Sequence, residues 1–286
     1  MGTLLMGKPV ADKIKADVKD KVKYLIEKGI KPKIKIVRVG EDESDLTYEK
    51  SALKAMINCG IEYEVLALPR NISQDDFVKN LKEVNDDKAV HGILVFRPLP
   101  EQIDENLVKY IINPEKDIDC FNPVNIAKVM EGDETGFPPC TPAAVIEIIK
   151  YYNISIKGKT AVVIGRSLVV GKPLSMMLLK EDATVTICHS KTQELEKISR
   201  EADILVAAIG KANLINSDYI KNGAVVIDVG INVNENGEVF GDVNTDDCLE
   251  KSSFITPVPR GVGSVTTAIL AHHVVKAALL TNEGMV

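Results

Sequence analysis

Residues 160–173 read TAVVIGRSLVVGKP: an apolar run, a glycine turn, then Gly171-Lys172-Pro173 opening a helix. That order lets backbone N–H groups and the helix dipole face a phosphate. Gly165 and Gly171 lack the middle glycine of G-x-G-x-x-G, so the spacing alone fits either a dinucleotide site or an ordinary strand-to-helix turn of an α/β protein. The end of the next expected strand adds information. NAD-specific sites usually carry an acid there to hold the ribose 2′-hydroxyl, whereas NADP sites use a cation. Here the chain reads Thr186-Ile187-Cys188-His189-Ser190-Lys191, with no acid. Arg166 in the glycine loop, with Ser190 and Lys191, offers partners for a 2′-phosphate, which points to NADP and leaves NAD open.

Working outward from this loop, apolar runs alternate with helical patterns. Strands are expected at 160–164, 184–187, 204–209 and 224–229, a hairpin turn at Asn236-Gly237, and a helix over 265–280. Upstream, Val10, Ile14, Val18, Val22 and Ile26 recur every four positions and predict a helix ending at Gly29. Strands follow at 33–39, 61–68 and 91–95, with helices at 44–58, 77–84 and 101–112. Such alternation implies parallel sheets joined by right-handed crossovers. Between Asn113 and Pro142 lie four prolines and two glycines, the expected domain boundary, and Pro142 is placed first in a helix reaching Tyr152. The architecture expected is two α/β units with a cleft between them.

Composition narrows the function classes. In 286 residues, Lys plus Arg is 35 and Asp plus Glu is 41, a net charge of −6, which disfavours a phosphate-backbone binder. Tryptophan is absent and aromatics are 5%, so base-stacking platforms are not expected. No apolar run is read as approaching the roughly 18 residues that span a bilayer. The opening MGTLLMGKPV has too short an apolar stretch for a signal peptide, and Met6 spoils a myristoylation pattern. Cys59, Cys120, Cys140, Cys188 and Cys248 form no C-x-x-C pair, so neither disulfides nor a metal site is expected. A reduced, cytosolic protein without nucleic-acid or membrane partners is the reading.

The runs GRSLVVGKP, ATVTICHSKT, GAVVIDVGIN, GDVN and ITPVPRGVGSVTTAIL, with NPEKDID (113–119) and PCTP (139–142), resemble the FolD-type methylenetetrahydrofolate dehydrogenase/cyclohydrolases along essentially the whole chain. The resemblance implies a two-domain α/β homodimer. Residues 1–142 with 266–286 would form the folate-binding catalytic domain, and 143–265 a Rossmann-like NADP domain. Members oxidise methylene-tetrahydrofolate to the methenyl form and usually hydrolyse that to formyl-tetrahydrofolate. By position, Gly165, Arg166, Ser167, Ser190 and Ile231 would contact NADP. Tyr48 falls at the folate-stacking tyrosine and Asp119 at the acid that hydrogen-bonds the pterin, the two residues assigned to catalysis. Ala52, Val95, Phe96 and Arg97 would border the same substrate, and Pro257, Arg260, Gly261 and Val265 would line its floor.

The chain departs from the family where chemistry is expected. The catalytic lysine lies four residues after the tyrosine, on one helix face; here that residue is Ala52, with Lys50 and Lys54 at other offsets. The glutamine that orients the lysine is Phe96, the glycine after the acid is Cys120, and PVPGGVGPM reads PVPRGVGSV. Hydride transfer is mostly positioning. Adding water to the methenyl carbon needs proton transfers, and losing the group that handles them costs about 10²–10⁴ in rate. The expectation is therefore dehydrogenation with weak or lost cyclohydrolase. The alternatives are a fully bifunctional enzyme, with Tyr48 or a neighbouring lysine serving, and a non-catalytic dinucleotide-binding module.

Other residues are read more plainly. Arg97 and Arg260 are taken as solvated rim arginines or as a grip on an acidic group such as a glutamate tail. His272 and His273 point about 100° apart on a helix and suit packing rather than metal. Asp117 is read as a loop-fixing residue, Cys140 as a buried apolar group, and His91 as hydrogen-bonded locally. Lys15, Lys19 and Lys23 form a wet helix flank.

Overall fold

A computed structural model describes residues 2–283. In chain order its strands are β1 (Thr3–Leu4), β2 (Lys33–Val39), β3 (Glu62–Leu68), β4 (Gly92–Val95), β5 (Thr160–Ile164), β6 (Thr184–Cys188), β7 (Ile204–Ala207), β8 (Val225–Asp228), β9 (Asn232–Val233), β10 (Val239–Phe240) and β11 (Phe254–Ile255). The helices are α1 (Gly7–Glu27), α2 (Glu43–Cys59), α3 (Gln74–Asp86), α4 (Glu105–Val108), α5 (Pro123–Glu131), α6 (Cys140–Tyr151), α7 (Gly171–Lys180), α8 (Leu195–Ser199), α9 (Thr245–Cys248) and α10 (Thr266–Glu283).

The chain divides into two compact units: Met1–Ala11 with Pro139–Thr266, and Asp12–Pro138 with Thr267–Val286. The opening residues group with the later unit because β1 pairs in parallel with β11.

That later unit holds a six-stranded parallel sheet in the order β1-β11-β8-β7-β5-β6. Its central strands are buried on both faces, so they read as unbroken apolar runs rather than alternating ones. Val162, Ile164, Leu205, Val226 and Ile255 meet in one core. The other unit holds three parallel strands, β3-β2-β4. Val37, Val39 and Val95 pack there against Phe77 and Leu81 of α3. Short β9 and β10 pair antiparallel around Asn236-Gly237, where Gly237 has φ +79°.

Several expected elements shift. The 101–112 segment forms only the single turn α4, because its polar side chains bond elsewhere. Gln102 donates to the Arg70 carbonyl at 2.7 Å, and Asp104 caps the Asn106 amide at 2.8 Å. In α1 the apolar stripe drifts at 3.6 residues per turn, so Leu25 is 1% exposed whereas Ile26 is 49% exposed. Pro142 sits third in α6, not first. The proline-rich stretch contains α5, which starts at the Asn122 cap and Pro123 and stops at Gly132, φ +72°. His91 bonds across strands: its Nδ1 accepts the Lys33 amide at 3.2 Å.

The stretch Val262–Thr281, mostly α10, corrects the reading that no run approached spanning length. It has 20 residues and a mean hydropathy of 1.3, long and apolar enough to cross a membrane by length and composition. In this fold 67% of it is buried within the protein, as in a core helix. Its His273 is buried, with Nδ1–H donating to the Ile118 carbonyl at 2.9 Å and the ring edge-on to Phe137.

Burial pushes His273 down to about 3 and His272 down to about 4. Unfolded, both imidazoles take a proton near 6.5. Between those limits the unfolded chain binds more protons, so stability is full above pH 6.5 and falls as pH drops. His273→Gln should therefore flatten the fall in Tm between pH 7 and pH 5 by removing up to about 1.4 kcal/mol per pH unit. Thermal melts across that range check it, and an unchanged slope contradicts it.

Candidate active site

The later unit builds its site where the chain reverses direction in the sheet. From β5 the chain goes outward to β6, then returns past β5 to β7. In open parallel sheets such a switch point opens a crevice at the carboxyl ends of the strands, and ligands bind there. Gly165 ends β5 with φ +142°, a backbone only glycine adopts readily, and a Cβ there would run into the Ala208 carbonyl beyond β7. Its amide donates to the Cys188 carbonyl of β6 at 2.9 Å. The glycine turn is thus stitched to β6 and pressed against the loop after β7.

Of the residues expected to hold the dinucleotide, Arg166 and Ser167 continue this turn and Ser190 lies just past β6, to which the turn is bonded. Arg166 and Ser167 follow Gly165 and are exposed, as are Ser190 and Lys191 past β6. No acid stands at the end of β6. Ile231, beyond β8, is exposed and faces Gly263. One detail changes the reading of the helix end. Ser167 Oγ accepts the Val170 amide at 3.0 Å and the Gly171 amide at 3.4 Å, so those two donors cap the turn rather than stand open. The remaining features, glycine close approach, exposed cation and missing acid, fit a dinucleotide carrying a 2′-phosphate.

The same unit carries the floor segment. Pro257 and Ser264 are partly buried, and Gly261 and Val265 are buried. A Cβ on Gly261 would run into the Pro257 carbonyl, and the Ser264 amide donates to Gly261 at 3.1 Å. Arg260 is exposed and its carbonyl accepts the Gly7 amide at 2.8 Å.

The other unit places Tyr48, Ala52, Val95, Phe96, Arg97 and Asp119. Val95 closes β4, and the Phe96 amide donates to the Val37 carbonyl of β2 at 3.0 Å. Phe96 is 7% exposed, and its ring lies 5.7 Å from the ring of Tyr48 on α2. Ala52, one turn on, is 0% exposed, whereas Lys50 and Lys54 point to solvent. Neither lysine takes over position 52. Arg97 is half-buried with its guanidinium 4.3 Å over the Phe121 ring, so it is not a plain rim arginine.

Asp119 is half-buried, and its loop is fixed from both sides. The Asp117 carboxylate, buried and shifted upward by that burial, accepts the Phe121 and Asn122 amides at 2.9 and 2.8 Å and Asn125 Nδ2 at 2.9 Å. His273 holds the Ile118 carbonyl.

Sequence reasoning missed an ion pair beneath α2. Arg38 Nε lies 2.8 Å from Glu49 Oε2, with side chains 8% and 14% exposed, and its Nη1 also donates to the Gly40 carbonyl. Arg38 therefore holds both the loop after β2 and the helix turn that carries Tyr48. The available signal was Arg38 set between Val37 and Val39 in the apolar second half of β2.

Residues 139–282 match the NAD(P)-binding domain of the tetrahydrofolate dehydrogenase/cyclohydrolase family, and residues 5–119 match its catalytic domain. The chain belongs to this family.

It is 59% identical over 282 residues to the bifunctional protein FolD of Clostridioides difficile strain 630, covering 99% of this chain and 98% of that one. The crystal structure of a bifunctional FolD methylenetetrahydrofolate dehydrogenase/cyclohydrolase from Campylobacter jejuni is 43% identical with a TM-score of 0.96, covering 98% of this chain and all of that one. A Trypanosoma brucei FolD solved with NADP and an inhibitor is 34% identical, TM-score 0.93, over 98% of both chains. The chain is an enzyme of the FolD family with an NAD(P)-binding domain. The relatives' names favour the fully bifunctional alternative over loss of hydrolysis, which nothing in the comparison demonstrates.

Against the FolD pattern, two departures share one backbone cause. Cys120 and Arg260, which stand where the resemblance implies glycines, adopt the left-handed backbone with φ +60° and +83°, a conformation that favours glycine. Cys120 is buried, and burial pushes its thiol up, which leaves it a poor nucleophile.

Arg38→Leu should destabilise the fold by about 3 kcal/mol by leaving Glu49 nearly buried without its partner, and Arg38→Leu with Glu49→Leu should recover most of that loss. Urea denaturation measures both. A double variant no better than the single one contradicts the pairing account.

Proposed function

We propose that this enzyme oxidises 5,10-methylenetetrahydrofolate to 5,10-methenyltetrahydrofolate with NADP, and hydrolyses the methenyl product to 10-formyltetrahydrofolate slowly. The observation that supports this reading is the contrast between the two units: a glycine turn pressed against the loop after β7 beside an exposed Arg166 in one, and in the other a fully buried Ala52 where the resemblance implies a lysine. NADP, when bound, supplies the hydride acceptor. Gly165, Arg166, Ser167, Ser190 and Ile231 would hold it, with Arg166 and Ser190 on the 2′-phosphate.

The chain's own residues then divide the work. Tyr48 stacks on the folate, and Phe96 backs its ring. Asp119, on a loop braced by Asp117 and His273, accepts hydrogen bonds from the pterin. Pro257, Arg260, Gly261 and Val265 line the floor. Positioning of this kind suffices for oxidation. Hydrolysis asks more, since a proton must be moved at the attacking water, and position 52 offers no titratable group.

The second reading is full bifunctionality, with Tyr48 or a neighbouring lysine moving that proton. The names of relatives up to 59% identical support it. The same names give no support to a non-catalytic module. We further propose a cytosolic homodimer; all five cysteines are free and buried, in keeping with a reducing compartment.

Purified enzyme supplied with methylene-tetrahydrofolate and each dinucleotide separates these readings when NAD(P)H and methenyl absorbance are followed independently. We expect NADPH to form faster than NADH and methenyl-tetrahydrofolate to accumulate. Ala52→Lys with Phe96→Gln should raise hydrolysis by about 10²-fold or more. Methenyl breakdown far above its spontaneous rate in the unaltered enzyme establishes the bifunctional reading instead.

A further inference from the structure

Beyond the residues expected to touch the dinucleotide, the crevice wall after β7 has an anchor of its own. Residues 209–211 follow β7 on the far side of the switch point from Gly165. Three successive amides there turn to a single carboxylate: Ile209 and Gly210 donate to Asp242 Oδ2 at 2.6 and 3.0 Å, and Lys211 donates to Oδ1 at 2.9 Å. Oδ1 also accepts Asn232 Nδ2 at 3.0 Å, next to Ile231. One buried side chain therefore ties the loop beyond β7 to the loop beyond β8.

The carboxylate is itself held from behind. Asp228, at the end of β8, accepts the Asp242 and Val243 amides at 3.0 and 2.9 Å and the Gly230 amide at 2.9 Å. Two glycines make room. A Cβ on Gly230 would run into the Asp242 carboxyl, and one on Gly241 into that of Asp228. The D-V-G and G-D motifs thus interlock, each supplying a carboxylate to the other's glycine. Both acids are 0% exposed, and every acceptor bond counted here goes to backbone or amide donors within this unit. A buried carboxylate with four donors is far more than a turn needs, and three of the four follow the end of β7, beside the switch point, while the fourth, Asn232, opens β9 just after Ile231.

We infer that Asp242 is a positioning residue for the dinucleotide: its carboxylate fixes the 209–211 loop and the Ile231 segment as two walls of the cofactor crevice, and Asp228 fixes Asp242. The inference rests on the reading of that crevice as the NADP site. Charge-assisted bonds to amides are directional and strong, so replacing one carboxylate oxygen by an NH₂ group turns an acceptor into a donor facing other donors. The walls then lose their common reference point while the sheet below keeps its hydrogen bonds.

The test uses full-length enzyme and NADP itself, with Kd from calorimetry and steady-state kinetics alongside. Asp242→Asn should raise the NADP Kd about tenfold or more, and leave KM for methylene-tetrahydrofolate within about twofold. A merely structural role lowers the melting temperature and the active fraction but leaves the Kd of the folded protein at the wild-type value, which would overturn the inference. Asn232→Ala serves if Asp242→Asn does not fold. It removes one donor and keeps the carboxylate, so a several-fold rise in Kd is expected, and wild-type affinity again contradicts. The two levels stay distinguishable: unaltered enzyme that fails to bind NADP refutes the reading of the crevice, whereas normal binding by both enzyme and variants refutes only the role of Asp242.

Discussion

The glycine turn at Gly165 depends on how closely two backbones approach where the parallel sheet reverses its order. Between β5 and β7 the strand ends diverge into separate loops, and the turn lies against the Ala208 carbonyl with no space for a side chain. That constraint selects glycine, aims Arg166 and Ser167 outward, and leaves the crevice that a dinucleotide fills. It also explains why the missing middle glycine of the fingerprint does little harm. Ser167 caps the helix start, and Arg166 beside it is exposed.

The other unit places apolar side chains where the resemblance implies polar ones. Ala52, on α2, and Phe96, after β4, are apolar and buried at the positions where the resemblance implies a lysine and its glutamine partner. An ammonium group there requires a polar neighbour, since a buried charge without one is costly. With Ala52 and Phe96 both apolar that cost does not arise, and the Phe96 ring lies 5.7 Å from that of Tyr48. Arg38 and Glu49 form a charge pair beneath the same helix, which fixes the turn bearing Tyr48.

Much of this was legible in the sequence, for physical reasons particular to each segment. A strand buried on both faces is a continuous apolar run, so TAVVI marks β5 to the residue, and in β2 the apolar residues of KIKIVRV end at Val39 before Gly40. The glycine loop and the lack of an acid after β6 were visible because both are local. The short strands β1 and β11 were not, since two residues make no pattern and their pairing spans the chain. α5 was hidden in a proline-rich stretch whose Asn122-Pro123 and Gly132 are cap signals rather than linker signals. The 101–112 helix failed because Gln102 and Asp104 bond to distant or neighbouring backbone instead of solvent. Among the proposed site residues, Tyr48 and Asp119 rest on motif alone. Arg38–Glu49 and Asp242 were not legible, because their partners lie 11 and 31 to 33 residues away and only folding brings them together.

The placement of the cofactor crevice is tested most directly by hydrogen exchange on the full chain with and without NADP. The account predicts slower amide exchange in residues 165–171 and 208–211 on adding NADP, with the β2 strand at 33–39 unchanged. Protection confined to the three-stranded sheet, or none at the ends of β5 and β7, would contradict it.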